Sequence, residues 1–545
     1  MGYVEKKERS QITLLPDSLE DYVTEENPAR VIDAFVDGLN MGALGFERSV
    51  PDVMGRPPYD PRDLLKLYIY GYFNRIRSSR KLMQECGRNV EVMYLLGKLR
   101  PDFRTISDFR KSNAKALRNV FKAFVKLCLK LKLYERELLA VDGTKFRAVN
   151  SKDNAYNAEI LYKKLERIDA HIAEYLRQMD ASDAKEPISG ELNAGQIKAA
   201  IAEINARKDQ YQGYLEELRE TGRTQILTTD PEAHRMHTKD GFNCCYNVQT
   251  AVDVGSHLIA EYEVTNNNTD QGLLSSMAEA AKETLELETV EVVADKGYES
   301  REDILDCVMN GTAPNVALKY DKRERLYTLE YVEAEITGET RTSTKPEDIQ
   351  TCLHAGVLPQ CYEGTSIEVE LQEESEIGCF TRNEDGTVTC PMGQTLSKIK
   401  DKGAGAVYAC KDACRQCPNR CTNSKIHKTV YFGPDTKYVA VKMFGSIRYR
   451  VIPPPPELVF HNAFYRKDGT KKKVLLRIRE DKAKLKERMC TVEHPFGTIK
   501  WYDGAHYLLC KGKEKVTAEV GLSYLAYNLK RAINMIGVKA LIAAM

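Results

Sequence analysis

The sequence lacks any segment apolar enough to cross a bilayer. No apolar run approaches the ~20 residues that a transmembrane helix needs, and the final ALIAAM is far shorter. The opening MGYVEKKERSQ has no apolar stretch of the secretory-signal type. Fifteen cysteines without such a signal indicate thiols or metal ligands in a reducing compartment, not a disulfide scaffold. We therefore expect a cytoplasmic protein with no membrane association.

The chain also carries almost no net charge, because the formal total is +1 over 545 residues. The local balance is uneven. Residues 466–488 hold eleven Lys or Arg against four acids, and residues 321–385 hold sixteen acids against six bases. A near-zero total therefore leaves room for a polyanionic partner, because binding depends on where positive charge gathers. A solvated helix face is the alternative for the basic run.

The composition, 42% hydrophobic and 29% charged, is that of a globular chain with room for two to four domains. Residues 1–135 show mainly helical spacing of apolar side chains. Asp60-Pro61 is typical of a helix cap followed by a first-turn proline. Arginines near the joints of these helices would suit a DNA-binding domain, and a plain helical bundle with solvated arginines is the alternative.

From residue 136 the pattern alternates between strands and helices, which predicts an α/β core. Residues 243–265 predict a β-hairpin, and residues 157–222 predict two long helices in an antiparallel hairpin inserted off the main sheet. The expected order is an N-terminal helical domain (1–135), the first part of the core (136–320), an acidic and Cys-rich insertion (321–465) and the last part of the core (466–545).

Two aspartates come directly after short apolar strands. Asp142 in AVDGTKF and Asp295 in VVADKGYES are expected at strand ends, where open α/β sheets build their sites. Carboxylates that converge there would suit two Mg²⁺ or Mn²⁺ ions, which support in-line phosphoryl transfer. Simple turn residues are the alternative. Asp253 and Asp270 are rivals of lower rank, because they fit a hairpin turn and a helix N-cap.

A third acid, Glu493, lies in TVEHPFGTIK. Proline disfavours a helix interior, so His494-Pro495 predicts a kink or a new helix start beside Glu493. Lys500 follows two helical turns later, within reach of a bound phosphate. Trp501 is the only tryptophan and could stack on a base, with core packing beneath the last helix as the alternative. The basic run, with Lys471, Lys472 and Lys473, could hold phosphate.

Five cysteines fall within 32 residues, namely Cys390, Cys410, Cys414, Cys417 and Cys421. Zn²⁺ takes four thiolates in a tetrahedron, and the Cys414-x₂-Cys417 pair supplies two of them. Cys390, Cys414, Cys417 and Cys421 are the preferred set, and Cys410 is a spare or a substitute ligand. Such a closed site would be structural, and unrelated buried thiols are the alternative.

The chain resembles a bacterial insertion-sequence transposase of the DDE type. The resemblance covers nearly the whole chain in order and is carried by PYDPRDLLKLYIYGY, FRTISDFRK, VDGTKFRAVNS, YNVQTAVD, VVADKGYES, the Cys390–Cys421 cluster and RMCTVEHPFGTIK. It implies an RNase-H-like catalytic core with an N-terminal helical domain. It also implies that Asp142, Asp295 and Glu493 are metal-binding catalytic acids.

The activity implied by the resemblance is DNA cleavage coupled to strand transfer, with DNA as partner and a homodimer in the synaptic complex. One feature departs from the group, in which a Tyr, an Arg and a Lys occupy the positions of Lys486, Met489 and Lys500. Only the lysine matches, and Arg488 lies one residue from the expected arginine. A metal-dependent nuclease without strand transfer and a non-catalytic DNA-binding relic are the alternatives.

Overall fold

The structure, a computed structural model, describes residues 18–50, 57–182, 194–319, 324–375, 377–417, 421–422, 424, 426–442 and 470–545. The chain divides into two compact units, Met1–Ile304 with Lys482–Met545, and Leu305–Asp481. Helices and β-sheets are both present, so the expected mixed α/β class is confirmed. In the described part of the chain, no helix combines the length and the apolar character needed to span a membrane.

The first unit opens with helices, as the apolar spacing predicts. They are α1 (Leu19–Tyr22), α2 (Pro28–Asp37), α3 (Pro61–Phe73), α4 (Ser79–Arg88), α5 (Val90–Leu95), α6 (Phe103–Ser112) and α7 (Ala114–Lys130). The predicted cap is confirmed, because the Asp60 carboxylate accepts a hydrogen bond from Arg62 N at 2.8 Å and Pro61 stands in the first turn of α3. Asp102 caps α6 in the same way.

A mixed sheet follows the helices. The strands of this part are β1 (Leu138–Arg147), β2 (Ala155–Tyr156), β3 (Ile226–Leu227), β4 (His234–Thr238), β5 (Gly241–Asp253), β6 (Ile259–Thr265) and β7 (Val290–Ala294). The main sheet runs in the order β4–β5–β1–β7, and β6 also pairs with β5. β1 is antiparallel to β5 and parallel to β7. The predicted hairpin is confirmed, since β5 and β6 pair in antiparallel fashion.

Two long helices, α8 (Ala158–Ser182) and α9 (Ala194–Thr221), occupy the segment in which a helical hairpin was expected. They pack against each other, and Leu161, Leu215 and Leu218 form a small apolar cluster at their base. The short strands β2 and β3 pair in antiparallel fashion there. The polar break expected around Pro187 and Gly190 lies outside the described residues.

Two further helices, α10 (Leu274–Leu285) and α11 (Arg301–Met309), flank β7 in sequence. The second unit then contains β8 (Thr312–Val316), β9 (Glu324–Glu330), α12 (Gly338–Thr342), α13 (Pro346–Ala355), β10 (Ile367–Ser375), β11 (Ile377–Arg382), β12 (Val388–Thr389), β13 (Thr395–Lys402), β14 (Gly405–Ala409), α14 (Lys411–Arg415), β15 (Val430–Phe432), β16 (Tyr438–Lys442) and β17 (Thr470–Arg479). One sheet runs β10–β17–β9 and another runs β15–β14–β13–β12–β11–β16.

The described part of the basic run divides between a strand and a helix: the solvated helix face fits its last residues, of which Lys482 and Lys486 are exposed on α15, but not residues 470–479. Residues 470–479 form β17, the central strand of the three-stranded sheet, between two strands from the acidic segment. Arg477 Nη2 donates to a Glu370 carboxylate oxygen at 3.0 Å, and Arg479 Nη1 donates to Glu368 at 2.7 Å. The acidic and the basic segments therefore pair with each other inside the second unit.

The lysines of the same strand also lie beside acidic or aromatic neighbours. Lys473 stands opposite Glu330 in the register of β17 and β9. The Lys472 ammonium lies 5.1 Å from the centroid of the Tyr331 ring. The side chain of Lys471 is outside the described residues. A phosphate-binding role for these lysines stays a prediction.

The chain returns to the first unit with α15 (Lys482–Gly497), a π-helical turn (Thr498–Tyr502), α16 (Lys513–Ile536) and α17 (Val538–Ala543). The new helix start that was one of the two expectations at His494-Pro495 is wrong, because α15 runs through Pro495, and a kink at this proline stays a prediction. Val492 and Pro495 are buried on one face of this helix, and that packing offsets the ~3 kcal/mol that a proline costs inside a helix. The last long helix packs on the sheet as predicted, with a 2.9 Å hydrogen bond between the Tyr524 and Thr250 hydroxyls.

Candidate active site

Asp142 and Asp295 lie next to each other in the sheet. Asp142 is inside β1 and not at a strand end as predicted, because β1 continues along β5 to Arg147. The parallel pairing of β1 with β7 stops at Val141 and Ala294. Asp142 is therefore the next residue on β1, and Asp295 directly follows the last residue of the neighbouring strand β7; neighbouring strands lie ~4.8 Å apart in a sheet.

Asp295 also fulfils the turn role that was its alternative. It caps a short 3₁₀ turn, because its Oδ1 accepts a hydrogen bond from Gly297 N at 2.7 Å. Tyr298, which follows, is buried and donates its hydroxyl proton to Gln249 Oε1. Asp295 can therefore cap the turn and also contribute to the site, because one carboxylate oxygen accepts the hydrogen bond and the carboxylate still lies beside Asp142.

A third carboxylate, Asp270, joins this pair. The prediction that Asp270 caps a helix is wrong, since the amides that open α10 donate to Asp303 instead. Asp270 Oδ1 accepts hydrogen bonds from Asn247 Nδ2 at 2.8 Å and from Gln249 Nε2 at 2.7 Å. Because both amides stand on β5, they hold the Asp270 carboxylate against the sheet.

Two glycines make room for these carboxylates. A Cβ on Gly143 would lie 2.2 Å from Asp270 Oδ1, so any side chain there would collide with the carboxylate. A Cβ on Gly297 would lie 2.8 Å from Asp295 Oδ1 and 3.6 Å from Asp270 Oδ2. The glycines that follow the two predicted aspartates therefore admit a third acid. A glycine inside a strand, such as Gly143, signals that another group approaches the backbone closely. This glycine was the one local indication in the sequence that Asp270 lies beside β1.

The carboxylate of Asp142 forms an ion pair with α15. Arg488 Nη1 lies 3.0 Å from Asp142 Oδ2, and both side chains are mostly buried. Burial raises the pKa of Asp142 to about 6, the Arg488 guanidinium opposes that shift, and the charges of Asp295 and Asp270 add to it. The arginine that stands one residue from its expected position thus reaches the catalytic candidate directly.

Lys500 belongs to the π-helical turn, and its ammonium contacts β1 two residues beyond Asp142. Its ammonium donates to Thr144 Oγ1 and to the Lys145 carbonyl oxygen, and it lies 4.7 Å from the centroid of the Phe146 ring. Burial lowers the pKa of Lys500 to about 8. The predicted phosphate ligand is therefore held on β1 beside Asp142.

Glu493 lies elsewhere on α15. It is exposed and lines a pocket with His494, Tyr527, Lys530 and Arg531. Successive helical residues are ~100° apart, so the five residues from Arg488 turn Glu493 by ~140° from the side that meets Asp142. The structure brings Asp142, Asp270 and Asp295 together, and Glu493 faces a different surface.

Trp501 is not buried beneath the last helix, so the core-packing alternative is wrong. The side chain is 74% exposed. Trp501 directly follows Lys500 in the π-helical turn, so it lies close in sequence to a residue that contacts β1.

Cys244 and Cys245, which are consecutive in the sequence, are both buried in β5.

The five clustered cysteines of the second unit line a single cavity. Cys390 Sγ accepts hydrogen bonds from Met392 N at 3.3 Å and from Gln394 N at 3.4 Å, the pattern of a sulfur in a tight knuckle. Burial raises the pKa of Cys390, and the nearby thiols Cys417 and Cys414 add to that shift. In the described residues, no three Cys, His, Asp or Glu side chains are already placed around a common metal position.

Residues 17–112 match the family model of a transposase domain (DUF772). The match spans the helices α1 to α6 and stops before β1. No curated protein and no solved structure is matched by the chain. The match covers less than a fifth of the chain, and it supports a transposase role for the protein.

Proposed function

We propose that the protein is a DNA transposase of the DDE type, which cleaves phosphodiester bonds at insertion-sequence ends and joins them to target DNA. The observation that carries this proposal is the meeting of Asp142 and Asp295 on neighbouring strands. The transposase-domain match at residues 17–112 supports it independently. The mixed sheet around β1 supports the proposed RNase-H-like core.

The carboxylates suit divalent cations of the Mg²⁺ or Mn²⁺ type, because hard oxygen ligands are what these ions prefer. Asp142 and Asp295 would hold them, and either Glu493 or Asp270 would supply the third carboxylate. Such ions activate a water or a 3′-hydroxyl and stabilise the leaving oxygen of a phosphodiester. Lys500 would neutralise a phosphate beside Asp142, and the glycines at 143 and 297 keep the carboxylates close.

The decisive experiment uses a plasmid that carries the gene with its natural flanking DNA. We expect the purified protein with Mg²⁺ to release the element ends and to join them to a second DNA. Asp142→Asn and Asp295→Asn should abolish cleavage, whereas the matched control Asp209→Asn, on the exposed side of α9, should not. Comparing Glu493→Gln with Asp270→Asn shows which of the two is the third acid, since only that variant should lose cleavage with DNA binding intact.

The alternatives are separated by the same reaction. Cleavage without joined products would mean that the protein is a nuclease and not a transposase. DNA binding without any cleavage would indicate a non-catalytic relic. Light scattering of the protein bound to paired DNA ends tests the proposed homodimer, because synapsis of two ends requires two active sites.

We also propose that the cysteine cluster holds a structural Zn²⁺ ion. Cys390, Cys414, Cys417 and Cys421 are the ligand set, and Cys410 is the alternative ligand. The support is that all five thiols line one cavity, in which Cys390 already accepts two amide hydrogen bonds. Four thiolates satisfy zinc completely, so the ion would stabilise the second unit and leave the chemistry to the carboxylates.

A further inference from the structure

Four aromatic side chains crowd into the seven residues after Lys500, and three of them are largely exposed. Trp501 is 74% exposed, Tyr502 62% and Tyr507 45%. The ring of His506 stacks on Trp501, with centroids 5.7 Å apart and planes inclined by 16°. Large aromatic rings are usually buried when a protein can bury them. We call Trp501, Tyr502, His506 and Tyr507 the aromatic platform.

Arginines flank the platform, and two of them also pair with acids: Arg75 Nε lies 3.7 Å from Asp503, and Arg77 Nη1 lies 3.5 Å from Glu519. The Arg75 guanidinium lies 3.4 Å from the centroid of the Tyr502 ring, and that of Arg77 lies 4.6 Å from the centroid of Tyr507. Arg77 Nη1 also donates to the Tyr507 carbonyl oxygen at 2.7 Å, which fixes that ring in place. Rings that are flanked by guanidinium groups suit a polyanion that also offers flat apolar surfaces. Nucleic acid is the ligand with both properties.

The platform is attached to the strand that carries Asp142. Arg147 N donates to the His506 carbonyl oxygen at 3.2 Å, and Leu508 N donates to the Arg147 carbonyl oxygen at 2.7 Å. Arg147 lies five residues after Asp142 on β1, which is a distance of ~17 Å at ~3.3 Å per residue. A stacked DNA strand advances ~3.4 Å per nucleotide. The platform thus lies about five nucleotides from a phosphate bound at Asp142.

We propose that the aromatic platform stacks unpaired DNA bases within about five nucleotides of the bond that is cut. This inference rests on the proposed transposase function and specifies the form of its substrate. Bases inside a duplex are stacked on each other and offer no face to a side chain, whereas an unpaired base offers two. Arg75 and Arg147 stand where the adjoining phosphates would pass.

The single tryptophan makes the test specific, because all tryptophan fluorescence of the chain comes from Trp501. The full-length protein in EDTA is titrated with oligothymidylate of about 12 nucleotides, within the usual ~4–16 nucleotides of single-strand sites, and with a blunt duplex. We expect the single strand to quench the fluorescence and the duplex to leave it nearly unchanged. Stacking of one base is worth about 1–3 kcal/mol. Trp501→Ala should therefore bind labelled oligothymidylate about 5- to 140-fold more weakly by anisotropy.

Two variants complete the test. Trp501→Phe keeps a ring and should retain most of the affinity, whereas Tyr162→Ala removes another exposed ring (52%) from α8 and should bind as the unaltered protein does. Equal quenching by duplex and single strand would overturn the proposal. Quenching that follows protein concentration without DNA would also overturn it, because it would indicate a second copy of the protein on the platform.

These measurements need no cleavage, so failure of the platform and failure of the transposase reaction are distinguished. The first leaves Asp142-dependent cleavage intact, and the second leaves the quenching intact.

Discussion

Replacing Arg488 by methionine removes the positive charge that contacts Asp142 and keeps an apolar side chain of similar length. The Nη1–Oδ2 distance is 3.0 Å, so the Coulomb energy at an effective dielectric constant of 20 is about 5.5 kcal/mol. Hydrogen bonds to charged groups contribute about 1.5–3 kcal/mol after solvation is included. We expect the interaction between Arg488 and Asp142 to contribute about 2–3 kcal/mol to the free energy of unfolding at pH 8 without metal.

The sign of the pH dependence follows from Asp142. Burial raises its pKa in the folded chain to about 6, from an ordinary value of 3.8. The folded chain thus binds this proton more tightly than the unfolded chain does, so the contribution of Asp142 to stability is present at low pH and is lost as the pH rises through about 6. This difference corresponds to about 3 kcal/mol. Asp142→Asn should therefore stabilise the metal-free protein at pH 8 by up to that amount and change little near pH 4.

A double-mutant cycle measures the interaction directly. Unfolding by urea is followed by the fluorescence of Trp501, which reports the unit that contains both Arg488 and Asp142. Arg488→Met should cost about 2–3 kcal/mol more in the unaltered chain than in the Asp142→Asn background at pH 8. At pH 5 the two costs should converge, because Asp142 is then mostly protonated.

Lys484→Met is the matched control for this cycle. Lys484 lies one turn before Arg488 on α15 and pairs with Glu291 at 2.6 Å. Its cost should be the same in both backgrounds. An interaction energy below about 0.5 kcal/mol for Arg488 at pH 8, which is the usual error of additivity, would refute the reasoning. So would an interaction of equal size at pH 5.

Two further predictions concern the glycines beside the carboxylates and the clustered cysteines. Gly143→Ala should lower the midpoint of urea unfolding, because its Cβ would meet Asp270 Oδ1 at 2.2 Å; Gly213→Ala, a helical position with no atom within 4 Å, should be neutral or stabilising by about 1 kcal/mol. Elemental analysis of the purified protein should find about one zinc per chain, which Cys390→Ser loses and Cys128→Ser, at a buried cysteine of α7, retains.

The parts of the fold that depend on local chemistry could be predicted from the sequence. The cap at Asp60, the two hairpins and the last amphipathic helix all follow from turn residues and apolar spacing, and the structure contains each of them. The continuation of α15 through Pro495 could not be predicted, because it depends on the burial of Val492 and Pro495. Residues 470–479 of the basic run form a strand for a similar reason, since their partners in the sheet lie 95 to 155 residues earlier in the sequence.

The candidate site divides in the same way. Asp142 and Asp295 were identifiable because each follows apolar strand residues, although the first lies inside its strand. Asp270 was ranked below these two because its role depends on Asn247 and Gln249, which approach it only after β5 pairs with β1. A residue that precedes a helix is ordinarily interpreted as its cap, and the acceptor that takes this role here, Asp303, is more than thirty residues away.

The Arg488–Asp142 pair also bears on the third carboxylate. Arg488 and Glu493 point about 140° apart on one helix, so α15 cannot turn both toward β1 at the same time. While the pair is intact, Asp270 is the acid that accompanies Asp142 and Asp295. A site completed by Glu493 would require α15 to rotate, which breaks the pair and releases the Asp142 carboxylate for a cation. Pro495 and the π-helical turn after Gly497 lie where the helix would have to twist. The helix would then have two alternative states, one in which Arg488 pairs with Asp142 and one in which Glu493 faces β1.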